Sequence, residues 1–368
     1  MKKMNLINHI KAVAFAAVIA GASLLALPSC TNAIYDDEGD CAVTYRIKFR
    51  YDRNLKWADA FASEVKSVRL YAFDADGKLV AEYADKGDRL ADPDYSMLVD
   101  LPAGSYHFTA WCGLDNEGAA AENFVVPHTT LHTTVLDELT CRMNRYTDDL
   151  YDAKSNQWLE FMFHGELDAE LPADDDGGDY VYVMPLTKDT NHIRIILQHL
   201  SGEDLDVSKF GFTLEDDNGY YASDNSLLDD DMITYLPFST STAEAGIIKE
   251  DKAAVGTRAL ETCKTAIADF SVGRMTSGHS DRMRLTITTT DEETGELKKV
   301  ASVPVIDYAL LARDYYEMYY GHAMADDQEF LDREDEYLLT FFLDENQKWY
   351  NAVIYINSWR IVLQDVEL

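Results

Sequence analysis

Cys30 is the residue with the most definite chemistry in the chain. It ends the hexapeptide LALPSC, behind Lys2, Lys3, Lys11 and the sixteen-residue apolar run AVAFAAVIAGASLLAL. A basic start, an apolar stretch of that length and a small residue at the cut are the parts of an export signal. A membrane-spanning helix needs about twenty apolar residues, and the following TNAIYDDEGD supplies acid where a stop-transfer flank would be basic. Leu27-Pro28-Ser29-Cys30 has the form of a bacterial lipoprotein box. There the thiol, whose ionised form is a strong nucleophile, takes lipid, and the chain is cut between Ser29 and Cys30. Several acyl chains, at about 0.8 kcal/mol per buried CH₂, would then hold the body to a membrane without a protein span.

The other chemically suggestive residues form weaker patterns. His128 and His132 stand four apart in VPHTTLH, a metal-ligand spacing on a helix, but Pro127 and the threonines favour loop or strand. The runs DADG, DDDGGD and LLDDD share the composition of calcium loops, yet none fits a twelve-residue loop closing on a bidentate Glu. Paired carboxylates could serve a glycosidase, but with 66 acidic residues such pairs are unavoidable. Trp111, Trp349 and Trp359 have the rings for a sugar platform, although Trp111 and Trp359 fall in strand patterns that bury them. GxSxG, HExxH, P-loop and dinucleotide fingerprints are all missing from the sequence. No catalytic residue, metal site or cofactor is therefore assigned, and the expectation is a protein that is not an enzyme. Setting Cys30 aside leaves Cys41, Cys112, Cys141 and Cys263. An even count in an exported chain permits two disulfides in any of three pairings, with buried free thiols as the alternative.

The elements that would position these residues are mostly strands. In VTYRIKFRY, Val43, Tyr45, Ile47, Phe49 and Tyr51 alternate with Thr44, Arg46, Lys48 and Arg50, the period of a strand with one buried face. EVKSVRLYAFDADGKLVAEY reads as strand, turn, strand, with Val68, Leu70 and Ala72 on one face. YSMLVDLPAGSYHFTAWCGL repeats the pattern, and LKWADAFASE offers a short helix. Further on, DYVYVMPL and HIRIILQHL read as strands, FGFTLEDDNGYYA and MRLTITTTDEETGELKKVASVPV as hairpins, and YLLTFFLDENQKWYNAVIYINSWRIVLQ as a strand pair around DENQK. DYALLARDYYEMYY is the one amphipathic helix, with Tyr308, Leu311, Tyr315 and Met318 as its apolar stripe. Short strands at this spacing predict a mostly β fold, two tandem antiparallel β-sandwich domains with a few short helices. The expected organisation is a signal peptide over 1–29, an acidic linker over 30–40, an N-terminal sandwich over 41–175 and a C-terminal sandwich over 176–368, divided at DAELPADDDGGD.

Composition sets the kind of partner. The chain has 66 acidic against 32 basic residues, a formal charge of −34, and losing the three leader lysines deepens it. That excludes nucleic acid, whose binders carry basic patches, and argues against docking of the body on anionic lipid. It suits a protein kept dispersed outside the cell. At 47% hydrophobic, with 22 Tyr and 15 Phe, the body is no disordered acidic tail.

Five blocks carry a family resemblance: YRIKFRYDRNLKWADAFASEVKSVRLYAFDADGKLV, LPAGSYHFTAWCGL, LTKDTNHIRIILQ, LEDDNGYYASDNSLLDDDMITYLPF and QEFLDREDEYLLTFFLDENQKWYNAVIYINSW. In this order, behind a lipoprotein box, they resemble the FimB-type fimbrial anchor family of Bacteroides-like bacteria, from about Cys41 to Trp359. The resemblance implies transthyretin-like sandwiches and a non-catalytic lipoprotein at the base of a type V fimbria. It further implies fimbrial shaft subunits as partners, attachment to the outer membrane through acyl chains, and control of shaft length. Asp36, Asp37, Glu38 and Asp40 would be the acidic signal for surface export. Shaft subunits of this class join by strand complementation after losing their first strand to a protease; an anchor would retain it, here VTYRIKFRY. Arg46 and Arg50 are formal sites for an Arg-specific protease, shielded if the strand is paired. The C-terminal YINSWRIVLQDVEL is the expected contact for the first shaft subunit. A tip adhesin and a glycan-binding surface lipoprotein are the alternative functions.

Overall fold

The computed structural model describes residues 43–115, 123–150, 153–173, 177–250, 258–279, 283–291, 294–346, 348–350, 353–357 and 359–362. Ser29, Cys30, Asp36, Asp37, Glu38, Asp40 and Cys41 lie outside the described residues.

The first sheet has seven strands: β1 (Thr44–Arg50), β2 (Ser67–Phe73), β3 (Leu79–Lys86), β4 (Met97–Val99), β5 (Gly104–Cys112), β9 (Phe163–Leu171) and β10 (Asp179–Lys188), in the order β3-β2-β5-β9-β10-β1-β4. β10 lies where this sheet folds over. Its first seven residues pair in parallel with β1, from Thr44↔Asp179 to Arg50↔Pro185. Its last three pair antiparallel with β9. The fold buries Ile47 and Phe49 of β1, Val68, Leu70 and Ala72 of β2, Phe108 and Ala110 of β5, and Met184 and Leu186 of β10. Phe49 stacks with Phe61 of the short helix α1 (Phe61–Glu64), and both stack with Tyr95.

Gly165 sits at the fold-over, opposite Leu186 and Ala110. A Cβ there would lie 2.7 Å from Leu186 Cδ2 and 2.8 Å from the Pro185 carbonyl oxygen, so the close crossing of β9 and β10 needs the missing side chain. Gly165→Ala is expected to cost about 1–3 kcal/mol, read as a lower urea midpoint with unchanged slope.

A six-stranded sheet follows, order β15-β16-β11-β19-β20-β21. It comprises β11 (Thr190–His199), β15 (Ser239–Glu250), β16 (Arg258–Gly273), β19 (Glu336–Leu343), β20 (Val353–Ile356) and β21 (Trp359–Val362). A five-stranded sheet, β18-β17-β12-β14-β8, is built from β8 (Lys154–Ser155), β12 (Phe210–Asp216), β14 (Ile233–Tyr235), β17 (Arg284–Thr290) and β18 (Leu297–Pro304). A small ribbon joins β6 (Phe124–Val125), β7 (Cys141–Met143) and β13 (Tyr220–Tyr221). Inward side chains of both larger sheets, such as Ile195, Phe270 and Phe341 with Leu214, Tyr235 and Ile287, share one apolar core.

The mostly β, sandwich-type fold is as expected, with three refinements. The pairings β1–β10, β11–β19 and β8–β14 are parallel within the otherwise antiparallel sheets. The division expected at residue 175 is not where the sheets part. β10, beyond it, completes the first sheet, β8, before it, joins the five-stranded sheet, and only Asp189 separates β10 from β11. FGFTLEDDNGYYA is not a hairpin, because β12 pairs with β14 and β17 while β13 pairs with β7.

The expected long helix is two, α2 (Val305–Leu310) and α3 (Arg313–Tyr320). Leu311 N–H donates to Tyr308 O and Ala312 N–H to Ala309 O. These i→i−3 bonds tighten the turn and rotate the apolar stripe onto Tyr308, Ala309, Ala312 and Tyr316, leaving Leu311 and Met318 exposed. A further helix, α4 (Asp327–Arg333), starts with Asp326 accepting from Glu329 N–H, an N-cap bond. No helix among the described residues is long and apolar enough to cross a membrane.

Candidate assembly site

The strand that an assembly protein would lend or withhold is β1, and it lies inside the first sheet, flanked by β10 and β4. Tyr45, Ile47, Phe49 and Tyr51 are all buried. Thr44 Oγ1 donates to Asp179 at 2.6 Å and Tyr45 Oη to the Pro172 carbonyl at 2.5 Å. Burial, with Asp335 and Glu64 nearby, pushes the Tyr51 hydroxyl well above the usual phenol range. The outward residues are held by acids: Arg46 to Asp179 at 3.3 Å, Lys48 to Asp94 at 3.8 Å and Arg50 to Asp52 at 2.6 Å. Such exposed pairs add little stability. Arg46 and Arg50 both lie in the ladder, opposite Val181 and Pro185 of β10, whereas a protease needs the backbone extended and free.

β1 leads directly into the contacts that join the two halves. Asp332 on α4 accepts two 2.9 Å bonds from the Arg274 guanidinium, one from Gln328 at 2.8 Å and a 3.5 Å contact from Arg53. Asp332 is 5% exposed. Arg333 donates to the Asp52 and Asn54 carbonyls and lies 3.6 Å over the Trp57 ring, whose other neighbour is His322. The buried Lys188 bridges Glu64 and Asp335 and sits 3.3 Å from the Phe161 ring. Buried charges persist only when paired in this way. The second half thus grips the segment immediately after β1, and the two halves form one compact unit.

Asp189, between β10 and β11, is fully buried. Its Oδ1 accepts from Asn225 at 2.8 Å, its Oδ2 has no hydrogen-bond partner among the described residues, and Arg274 is 3.9 Å away. Burial raises its carboxyl to about 7, with Arg274 and Asn225 opposing. The folded protein therefore binds a proton that the unfolded chain, near pH 4, releases. Stability from this group is present at low pH and lost as pH rises through about 4 to 7. Asp189→Asn is expected to flatten this dependence and gain about 2–4 kcal/mol relative to wild type between pH 5 and 8, measured by urea unfolding at both values.

The remaining expected site residues are dispersed. Cys112, Cys141 and Cys263 are buried on β5, β7 and β16 and are not bonded to one another. Burial, with Asp189 adding, pushes the thiols of Cys112 and Cys141 up; Cys141 faces Met162 Sδ at 3.8 Å and Cys263 faces Gln198. His128 and His132 are exposed, away from any helix. Among the described residues no group of three His, Cys, Asp or Glu side chains is arranged to hold a metal. DADG is a self-capped turn in which Asp74 Oδ1 accepts from the Asp76 and Lys78 N–H groups. In LLDDD, Asp230 is paired with Arg142 and Arg145, while Asp174–Asp176 of DDDGGD fall outside the described residues. Trp111 is fully buried and Trp349 packs against Tyr308 and Phe341, so neither is a sugar platform. The clamp residues Arg274, Asp332 and Asp189 escaped the sequence reading, because nothing local marks charges 58 positions apart as partners.

β21 is the outer strand of the six-stranded sheet and, among the described residues, pairs on one side only, with β20 from Val353↔Val362 to Ile356↔Trp359. A sheet edge of this kind offers the row of backbone groups through which sheets recruit another strand. Residues 363–368 lie outside the described residues.

Two interleaved sandwich halves are joined into one body with the first strand internal, a mostly β fold similar to that of adhesin-type proteins. The chain belongs to the family of fimbrillin-A associated anchor proteins Mfa1 and Mfa2, whose sequence model matches residues 37–365. It is 22% identical over 285 residues to the minor fimbrium anchoring subunit Mfa2 of Porphyromonas gingivalis, covering 77% of this chain and 78% of that one. The fold is similar to that of a candidate polysaccharide-binding protein of Bacteroides thetaiotaomicron (TM-score 0.70, 28% identity, 88% of this chain and 99% of that chain). A candidate adhesin of the same organism gives a TM-score of 0.69 at 30% identity, over 88% and 98% of the two chains. The Mfa2 structure of P. gingivalis shares the fold at a TM-score of 0.60 and 18% identity, over 88% and 99%.

Proposed function

We propose that the protein is a non-catalytic outer-membrane lipoprotein that anchors a fimbria to the cell surface and limits its length. The observation that carries this reading is β1, which occupies the first sheet with neighbours on both edges. A polymerising subunit must vacate such a place before a partner strand can enter by augmentation; with β1 in place, growth has nowhere to continue. The one-sided edge of β21 is the matching surface for the first shaft subunit. Cys30, lipidated after cleavage behind Ser29, supplies the tether, and Asp36, Asp37, Glu38 and Asp40 direct export to the outer leaflet.

Cys30→Ala tests the tether. The variant is expected to leave the membrane fraction for the medium and to carry shed fimbriae with it, seen by fractionation and by pull-down of a polymerising β-sandwich subunit. Retention of the variant in the envelope would overturn the lipid anchor, and mature protein beginning after Arg46 or Arg50 would overturn the terminator role. The likeness to a candidate adhesin at 30% identity favours a second reading, a tip subunit; immunogold labelling at the distal end of the fibre would establish that one instead.

A further inference from the structure

One end of the outer face of the six-stranded sheet carries a cleft of about 570 Å³ that the assembly reading does not use. The ladder sets His192 of β11 beside Glu336 of β19, and Arg194 beside Asp269 of β16. Trp158 forms one wall. Its ring lies 3.9 Å from that of His192 and meets Phe238 at 5.2 Å and 90°. Although held on these two sides, Trp158 remains 43% exposed.

The polar groups of the cleft are unevenly satisfied. Arg194 is taken by Asp269, Nε to Oδ1 at 2.6 Å. The Asn357 amide is shared between Tyr316 Oη at 3.2 Å and Glu334 Oε2 at 3.0 Å. Glu334 and Glu336 line the same space, Glu334 buried against Asn357 and Glu336 exposed within the field of Arg194. Three carboxylates, Asp269, Glu334 and Glu336, share the cleft with one arginine, and aromatic walls beside such an excess favour a cation over an anion or a neutral apolar group.

The molecule contains a filled version of this arrangement. Trp57 has an imidazole stacked on it, His322 at 4.4 Å, and a guanidinium, Arg333, 3.6 Å over its ring. Arg333 is held in turn by the Glu329 carboxylate at 2.7 Å. Around Trp158 the imidazole (His192) and the carboxylate (Glu336) are present, while the one arginine among the described lining residues, Arg194, is held by Asp269 and has no ring contact with Trp158 among the described residues. We propose that the cleft receives an arginine side chain presented by a partner polypeptide, its guanidinium lying on Trp158 and pairing with Glu336. Arginine fits better than lysine because a planar, weakly hydrated guanidinium can stack and fork at once. The strongly negative chain would steer basic partners toward it. The inference stands whether the protein anchors or caps a fimbria.

The test is titration of the detergent-solubilised full chain with a short Gly/Ser peptide carrying one central arginine, against the same peptide carrying citrulline, its neutral isostere. Saturable quenching of tryptophan fluorescence is expected with a Kd of roughly millimolar, and binding about tenfold weaker for citrulline and for Glu336→Gln with the arginine peptide. Glu345→Gln, at an exposed site on the β19–β20 loop, removes the same unit of charge and is expected to leave binding unchanged. Trp158→Ala, followed calorimetrically, is expected to abolish binding; if that variant does not fold, the Glu336 and Glu345 pair carries the test. Equal binding of arginine and citrulline, no effect of Glu336→Gln, an equal effect of Glu345→Gln, or binding of a neutral oligosaccharide such as maltohexaose in place of the arginine peptide would each overturn the proposal.

Discussion

Removing Val43–Tyr51 is expected to yield a chain that does not fold alone and folds when the peptide VTYRIKFRY is supplied in trans. Tyr45, Ile47, Phe49 and Tyr51 are each no more than 6% exposed. Burying four such side chains contributes about 6–12 kcal/mol, comparable with the roughly 5–15 kcal/mol by which a whole domain is stable. The deletion also strips hydrogen-bond partners from β10 on one side and β4 on the other, and buried backbone groups do not stay unpaired. Circular dichroism of the truncated chain, titrated with this peptide and with a version carrying Asp at the positions of Ile47 and Phe49, reads the effect. Only the apolar peptide should restore the β signal. A truncated chain that melts like the wild type would mean that β1 does not fill the groove.

The second large effect is at the clamp. Asp332→Ala leaves the Arg274 guanidinium buried and deprived of its two 2.9 Å bonds. Breaking a buried pair from one side costs about 3–5 kcal/mol, and here the loss falls where the two halves meet. The double variant Arg274→Leu with Asp332→Leu is expected to recover most of that loss, because removing both charges removes the need to desolvate either. Urea unfolding of the four proteins gives the coupling directly. A coupling near zero would show that Gln328 and Arg53 satisfy Asp332 without Arg274.

The parts legible in the sequence were those governed by local period. β1, the β2–β3 and β17–β18 hairpins and the helix at Phe61–Glu64 follow from alternation, turn residues and a short apolar run. Alternation failed where a layer is covered on both faces. In β2 the outward Tyr71 and Phe73 are as buried as Val68 and Leu70, because they join Trp111 in the core of the second half. The β15–β16 hairpin passed unread, since long Thr-, Ala- and Glu-bearing stretches such as STSTAEAG and ETCKTA separate its large apolar residues and hide the alternation. The stripe on DYALLARDYYEMYY was misplaced by one tightened turn. The candidate site divides in the same way. The first strand itself could be anticipated from the alternation of its own residues, whereas the clamp and the Trp158 cleft are assembled from side chains that meet only after folding.

The parallel register of β1 with β10 has a mechanical consequence. β1 runs away from its N-terminal end, and β10 runs alongside it in the same direction before passing through Asp189 into the second half. A pull between the N-terminal end of β1 and the second half therefore loads the interstrand bonds in shear, all seven residue pairs at once. An antiparallel hairpin pulled at its open end would give them up one by one. Flow dragging on a filament attached to the far half would meet this joint in its most resistant direction.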